Sequence, residues 1–161
     1  METERYRSAS AWTAALVVED EGITQLQLGK ILKRAGFTVV GAALNGQEGV
    51  ELALREHPEL VLMDVNMPGP YNGLEAARRI LAEFRTCVVM LTAYVDYADE
   101  AQKLGACGYI VKPLDEQSLL PQLRNALQRF SRARTSGRTT WAPAWPRSFA
   151  RVASADSCRS R

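Results

Sequence analysis

Short apolar runs alternate with amphipathic segments through most of the chain. A short apolar run between turn signals is typical of a buried strand, whereas apolar residues spaced three and four positions apart are typical of a helix. This pattern predicts strands near residues 15–19, 37–43, 60–63, 87–91 and 107–111. It predicts helices near residues 23–35, 47–56, 73–84, 95–104 and 116–131.

Strict alternation of strands and helices predicts an α/β fold with a parallel sheet and helices on both faces. We expect a doubly wound five-stranded sheet with strand order 2-1-3-4-5, so that strands one and three are neighbours. The apolar face predicted for the first helix comprises Ile23, Leu26, Ile31, Leu32 and Ala35. The face predicted for the last helix comprises Leu119, Leu120, Leu123, Ala126, Leu127 and Phe130.

Polar residues follow four of the predicted strands. Glu19 and Asp20 follow the first, Asp64 follows the third, Thr92 the fourth and Lys112 the fifth. Chemistry in open α/β sheets gathers at the carboxyl ends of strands. Clustered carboxylates repel one another and favour a bound cation, and oxygen ligands with phosphate suit Mg²⁺. Asp64 is a plausible nucleophile because carboxylates that form aspartyl phosphates are an established class.

The order of these residues, an acidic pair, an Asp, a Thr and Lys112-Pro113, resembles the receiver domain of two-component response regulators. This is the family of the small chemotaxis regulator, and the resemblance covers roughly residues 14–131. It implies a flavodoxin-like (βα)5 fold and a cytoplasmic signalling protein. Such a protein accepts a phosphoryl group on Asp64 from a sensor histidine kinase or phosphotransfer protein. It catalyses only its own phosphorylation and dephosphorylation.

The resemblance also implies how the metal is held. Asp20 and Asp64 would ligate Mg²⁺ directly, together with the backbone carbonyl of Asn66. Glu19 would act through a water molecule.

Three further residues would handle the phosphoryl group and the switch. Thr92 and Lys112 would contact phosphoryl oxygens, and the Tyr109 ring would enter the space that Thr92 vacates. A two-state surface of the fourth helix, fifth strand and fifth helix would then signal to a downstream protein target. The same surface is a possible homodimer interface. The alternative for Tyr109 is an ordinary half-exposed strand tyrosine. The resemblance also implies a cis peptide bond between Lys112 and Pro113.

The charge of the chain is divided unequally. Residues 1–130 carry 13 Lys and Arg against 17 Asp and Glu, a net charge of −4. Residues 131–161 carry seven Arg against one acid, a net charge of +6. We predict a leader over residues 1–13, a receiver over 14–131 and a poorly ordered basic tail over 132–161. The weaker alternative is that Trp141, Trp145 and Phe149 dock onto the receiver or a partner.

A different function, nucleic-acid binding through the arginine-rich tail, is the main alternative. The stretch 91–130 also resembles receivers attached to RNA-binding antiterminator (ANTAR) outputs. The chain after Ser131 lacks the helices of that output, so the resemblance does not predict RNA binding. A solvated tail is favoured, and a salt-dependent gel shift would separate the two interpretations.

The remaining classes are disfavoured. A Mg²⁺-dependent phosphohydrolase of the haloacid dehalogenase type needs Asp-x-Asp, and Asn66 stands at the second position. No apolar run approaches the roughly 18 residues of a membrane span. The cysteines, Cys87, Cys107 and Cys158, lack framework spacing, which favours a reducing cytosol. We interpret Cys87 and Cys107 as small buried hydrophobes.

Overall fold

A computed structural model describes residues 13–135 of the chain. Its strands are β1 Ala14–Val18, β2 Thr38–Ala43, β3 Leu60–Asp64, β4 Cys87–Thr92 and β5 Gly108–Val111. Its helices are α1 Gly22–Arg34, α2 Gly46–Glu56, α3 Gly73–Glu83, α4 Ala98–Leu104 and α5 Glu116–Thr135. Most of the predicted leader and tail, including Trp141, Trp145, Phe149 and Cys158, lies outside the described residues.

The strands form one parallel sheet in the order β2-β1-β3-β4-β5, which confirms the predicted topology. Every residue of β3 and β4 is buried. The helices cover both faces, with α2, α3 and α4 on one and α1 and α5 on the other. A strand buried on both faces needs a continuous apolar run, and this is why the central strands lack alternation.

Local signals explain where several helices begin and end. The side chains of Asn45 and Asn72 accept hydrogen bonds from the Glu48 and Glu75 backbone N–H groups, at 2.8 and 3.0 Å. These contacts satisfy donors that a helix start leaves unpaired. Helix α4 begins at Ala98 rather than near residue 95, because residues 95–97 form a turn. Helix α5 extends to Thr135, four residues past its predicted end.

The predicted apolar face of α1 is wrong at two positions. Ile23 and Leu26 are 79% and 66% exposed, whereas Leu28, Ile31 and Leu32 are buried. At about 100° per residue, the three buried residues lie within an arc of about 100°, and Ile23 and Leu26 lie on the opposite side of the helix. The buried face of α1 therefore begins only in its second half.

The cysteine prediction is confirmed for the two residues that the structure describes. Cys87 and Cys107 are free thiols and are buried. Burial raises the pKa of Cys87 well above its ordinary value. Among the described residues, no helix combines the length and the apolar character that crossing a bilayer requires.

Gly73 lets the start of α3 pack directly against the end of β3. Its backbone N–H donates to the Val65 carbonyl at 2.9 Å. A Cβ atom at this position would lie 1.8 Å from the carbonyl oxygen of Asp64 and 3.0 Å from the Cα of Val65. The obstacle is backbone, so no side-chain rotation relieves it.

We expect Gly73→Ala to destabilise the domain by about 3 kcal/mol or more, the upper end of the usual cost of overpacking. Gly29→Ala is the matched control, because a Cβ there meets nothing within 4 Å. It should stabilise the protein by up to about 1 kcal/mol through helix propensity. Urea denaturation measures both changes, and equal midpoints for Gly73→Ala and the unmodified protein would contradict the close approach.

Candidate functional site

Asp64 is the last residue of β3 and is only 5% exposed. Its Oδ1 atom accepts a hydrogen bond from the Asn66 backbone N–H at 3.3 Å. Its Oδ2 atom accepts one from Lys112 Nζ at 3.2 Å. The two donors fix the orientation of a carboxylate at the carboxyl edge of the sheet, where ligands of open α/β sheets bind.

Lys112 lies just beyond β5 and bridges two carboxylates. Besides Asp64, its ammonium donates to Glu19 Oε2 at 2.8 Å. The other Glu19 oxygen accepts from the Glu21 backbone N–H at 3.1 Å. Burial alone lowers the pKa of Lys112, but contacts with Glu19 and Asp64 outweigh it and raise the pKa above its ordinary value. The Lys112–Pro113 peptide bond is cis, as the resemblance implies.

Three acidic side chains converge beside Lys112. Glu19, Asp20 and Asp64 each offer a carboxylate oxygen, and these atoms lie within 4.8 Å of one another. Burial raises the pKa of Glu19 despite its hydrogen bond to Lys112. Partial desolvation and then the Glu19 carboxyl raise the pKa of Asp20, which is exposed. Three carboxylates against one ammonium leave excess negative charge, and such an oxygen set fits a hard divalent cation such as Mg²⁺.

Thr92 and Tyr109 are linked through one backbone residue. The Thr92 hydroxyl, which is buried, accepts from the Tyr94 backbone N–H at 3.1 Å. The Tyr109 hydroxyl donates to the Tyr94 carbonyl oxygen. Tyr109 is 4% exposed, and burial raises its pKa to about 12. The half-exposed strand tyrosine is therefore excluded, and the ring lies inside the domain.

The structure brings Glu19, Asp20, Asp64 and Lys112 together, as the strand order predicts. Asn66 is exposed and adjoins this group through its backbone N–H.

Sequence reasoning missed Gln25. Its side-chain amide donates to the Ala43 carbonyl at 2.8 Å and to the Glu19 carbonyl at 3.3 Å. The one available signal, a polar residue near the start of the first helix, is common and weak.

Comparison with known proteins identifies the family. The family model described as "Response regulator receiver domain" matches residues 15–124. The chain belongs to the response regulator receiver domain family. The predicted resemblance is thereby confirmed, and the carboxylate cluster lies at the acidic edge of a receiver fold.

Two individual relatives support the same family assignment. The chain is 39% identical to the transcriptional regulatory protein PdtaR of Mycobacterium tuberculosis over 117 residues, which are 71% of this chain and 57% of that protein. It is 34% identical to protein PilH of Pseudomonas aeruginosa over 117 residues, 70% of this chain and 95% of that one. The chain thus spans little more than half the length of PdtaR, but nearly all of PilH.

A solved structure shows the same fold. A CheX–CheY complex with BeF3 and Mg²⁺ from Borrelia burgdorferi matches with a TM-score of 0.66 and 27% identity. The match covers 69% of this chain and 86% of that one. Receiver domains of this family interact with histidine kinases or phosphotransfer proteins and with downstream targets.

Proposed function

We propose that Asp64 accepts a phosphoryl group from a sensor histidine kinase or phosphotransfer protein and that the change is passed to a downstream protein. The observation that carries the proposal is the setting of Asp64. Its carboxylate ends β3, is held 3.2 Å from Lys112 Nζ, and shares a 4.8 Å cluster with Glu19 and Asp20. A buried nucleophile beside a fixed cation suits phosphoryl transfer, in which positioning and charge supply most of the catalysis.

The residues that would hold Mg²⁺ are Asp20, Asp64 and the backbone carbonyl of Asn66, with Glu19 acting through a water. When bound, the ion would supply positive charge for the oxygens of the incoming phosphoryl group. The excess carboxylate charge supports this assignment. It is further supported by the relative from Borrelia burgdorferi, whose complex contains BeF3 and Mg²⁺. Both oxygens of Glu19 already accept hydrogen bonds, which suits an outer position.

In the transfer step, an Asp64 oxygen forms a bond to phosphorus as the phosphorus–nitrogen bond of a phosphohistidine donor breaks. The electron pair of the broken bond stays on the imidazole nitrogen. Lys112 then faces the Glu19 carboxylate and the oxygens of the new phosphoryl group on Asp64, and its positive charge offsets their negative charge. Glu19 holds Lys112 Nζ at 2.8 Å in the free protein, so the ammonium is positioned before the donor arrives.

The switch would run from Thr92 to the surface formed by α4, β5 and α5. The Thr92 hydroxyl can donate to a phosphoryl oxygen. Movement of Thr92 would shift the Tyr94 backbone, whose N–H is hydrogen-bonded to the Thr92 hydroxyl. The shift would then reach the Tyr109 hydroxyl on β5, which is hydrogen-bonded to the Tyr94 carbonyl. Because Tyr109 already lies inside, phosphorylation would stabilise this arrangement rather than create it. The same surface is our candidate for the downstream target and for a homodimer.

We further propose that the chain acts in the cytoplasm and catalyses nothing beyond its own phosphorylation and dephosphorylation. The nucleic-acid-binding alternative is not favoured, because the family match lies in residues 15–124 and the arginine-rich tail lies outside it.

Mapping the modified residue tests the proposal. Incubation with Mg²⁺ and acetyl phosphate should add one phosphoryl group per chain, measured by intact mass. Borohydride reduction and peptide mapping should then locate it at residue 64. A phosphoryl group at another residue, or none from acetyl phosphate and phosphohistidine donors alike, would contradict the assignment.

A further inference from the structure

The first half of α1 has few apolar contacts with the domain. No residue from Gly22 to Gln27 is fully buried, and the buried residues of the helix begin at Leu28. Yet this half begins only two residues after Asp20, a member of the acidic cluster. A loosely held turn between β1 and α1 would let Asp20 move. Because apolar packing is sparse here, polar contacts are needed to hold this turn in place.

The Gln25 side chain provides that connection. Its amide nitrogen carries two protons, and it donates to two backbone carbonyls, Ala43 O at 2.8 Å and Glu19 O at 3.3 Å. Ala43 is the last residue of β2, and its carbonyl also accepts from the Glu19 N–H at 3.0 Å. One amide therefore joins helix α1 to the carboxyl ends of two adjacent strands.

Of the two carbonyls that accept from Gln25, the Glu19 carbonyl bears directly on the position of Asp20. It belongs to the planar peptide unit that joins Glu19 to Asp20, so fixing its oxygen also fixes the nitrogen and Cα of Asp20. The turn is closed by two further bonds, from Glu21 N–H to Glu19 Oε1 and from Gln25 N–H to the Glu21 carbonyl. Together these contacts set the direction in which the Asp20 side chain projects from the backbone.

We infer that Gln25 is a positioning residue that holds Glu19 and Asp20 in the orientation that metal binding requires. This inference rests on the proposed function for its metal-binding consequence, but the positioning itself can be measured without metal. Metal sites depend on such outer contacts because ligands held in place lose less freedom on binding.

The test compares Gln25→Met, which keeps the length but loses both donors, with Gln27→Met on the exposed side of the same helix. In the metal-free proteins, hydrogen exchange of the Glu19 and Glu21 amides should be faster in Gln25→Met by roughly tenfold, a difference equivalent to about 1.4 kcal/mol. Gln27→Met should exchange like the unmodified protein. Unchanged exchange at both amides in Gln25→Met would overturn the inference, whether or not the protein binds Mg²⁺.

The second measurement is Mg²⁺ titration by calorimetry, with acetyl phosphate kinetics across Mg²⁺ concentrations. Gln25→Met should need roughly tenfold more Mg²⁺ for half saturation. Its maximal rate at saturating Mg²⁺ should stay within about twofold of the unmodified protein, as for a lost ground-state contact. An equal loss in affinity and maximal rate would indicate general damage and overturn the inference.

Two outcomes need separate treatment. If the unmodified protein binds no Mg²⁺, the proposed metal site fails, and amide exchange alone decides whether Gln25 fixes the turn. If Gln25→Met does not fold, Gln25→Asn replaces it, because the shorter amide keeps its polarity but cannot reach both carbonyls. The same changes in exchange and Mg²⁺ affinity are then expected, and their absence overturns the inference.

Discussion

Asp64→Asn is expected to reduce phosphorylation by acetyl phosphate to background. The substitution preserves shape but replaces a charged carboxylate with a neutral amide, whose oxygen is a poor nucleophile. The fold should persist, because Lys112 keeps its 2.8 Å contact with Glu19 and the Asn66 N–H keeps an acceptor at residue 64. Loss of phosphorylation in a folded variant would therefore report on chemistry, and circular dichroism should verify the fold.

Asp96→Asn is the matched control for this experiment. Asp96 is an exposed aspartate that follows β4 at the same edge of the sheet. The Asp96→Asn variant carries the same chemical change outside the carboxylate cluster, so its phosphorylation by acetyl phosphate should equal that of the unmodified protein. Equal labelling of Asp64→Asn and the unmodified protein would show that another residue is the phosphoacceptor.

The fold and most of the candidate site could be predicted from local patterns. The buried runs of β3 and β4 are continuous because both sheet faces are covered, and this makes them easy to recognise. Strand order then brings Glu19 and Asp64 to one edge, since β1 and β3 are neighbours. Lys112 contacts Glu19 across 93 positions of sequence, and this contact follows from topology rather than from any local signal.

The wrong and missed predictions concern residues whose surroundings depend on how separate elements pack against one another. Ile23 and Leu26 are apolar and helical, but only the rotation of α1 against the sheet determines that they face solvent. In the sequence, Gly73 looks like an ordinary glycine at a helix start. Only when β3 and α3 are placed together does a Cβ at this position come within 1.8 Å of the Asp64 carbonyl oxygen. Gln25 looks like any polar helix residue until the carbonyls of Glu19 and Ala43 lie beside it.

Asp20→Ala is expected to weaken Mg²⁺ binding by at least about a hundredfold, since even outer-shell partners of a metal commonly cost 10- to 100-fold. Asp20 is the exposed member of the cluster, whereas Glu19 and Asp64 both accept hydrogen bonds from the Lys112 ammonium and are ion-paired with it. Removing it leaves two carboxylates already paired with one ammonium. Little net attraction for a divalent cation remains, and phosphorylation should fall with the affinity.

Thermal melting with and without Mg²⁺ measures this loss without relying on activity. At a Mg²⁺ concentration about 100 times the dissociation constant, the unmodified protein should gain about 2.7 kcal/mol of stability by mass action, and Asp20→Ala, if its affinity is a hundredfold weaker, should gain about 0.4 kcal/mol or less. Without metal, Asp20→Ala should melt at the same or a higher temperature. Desolvation and the Glu19 carboxyl raise the pKa of Asp20, so its ionised form opposes folding at neutral pH.

Glu21→Ala controls for the loss of one negative charge near the site. Glu21 adjoins Asp20 in sequence and is exposed, and its side chain makes no capping hydrogen bond to α1. Its backbone N–H, which donates to Glu19, is retained in the variant. Glu21→Ala should bind Mg²⁺ nearly as well as the unmodified protein, because Glu21 is not among the converging carboxylates and its exposed charge acts through water of high dielectric constant. If Asp20→Ala instead retains the Mg²⁺-dependent rise in melting temperature, Asp20 is not a ligand and the carboxylate cluster is not the metal site.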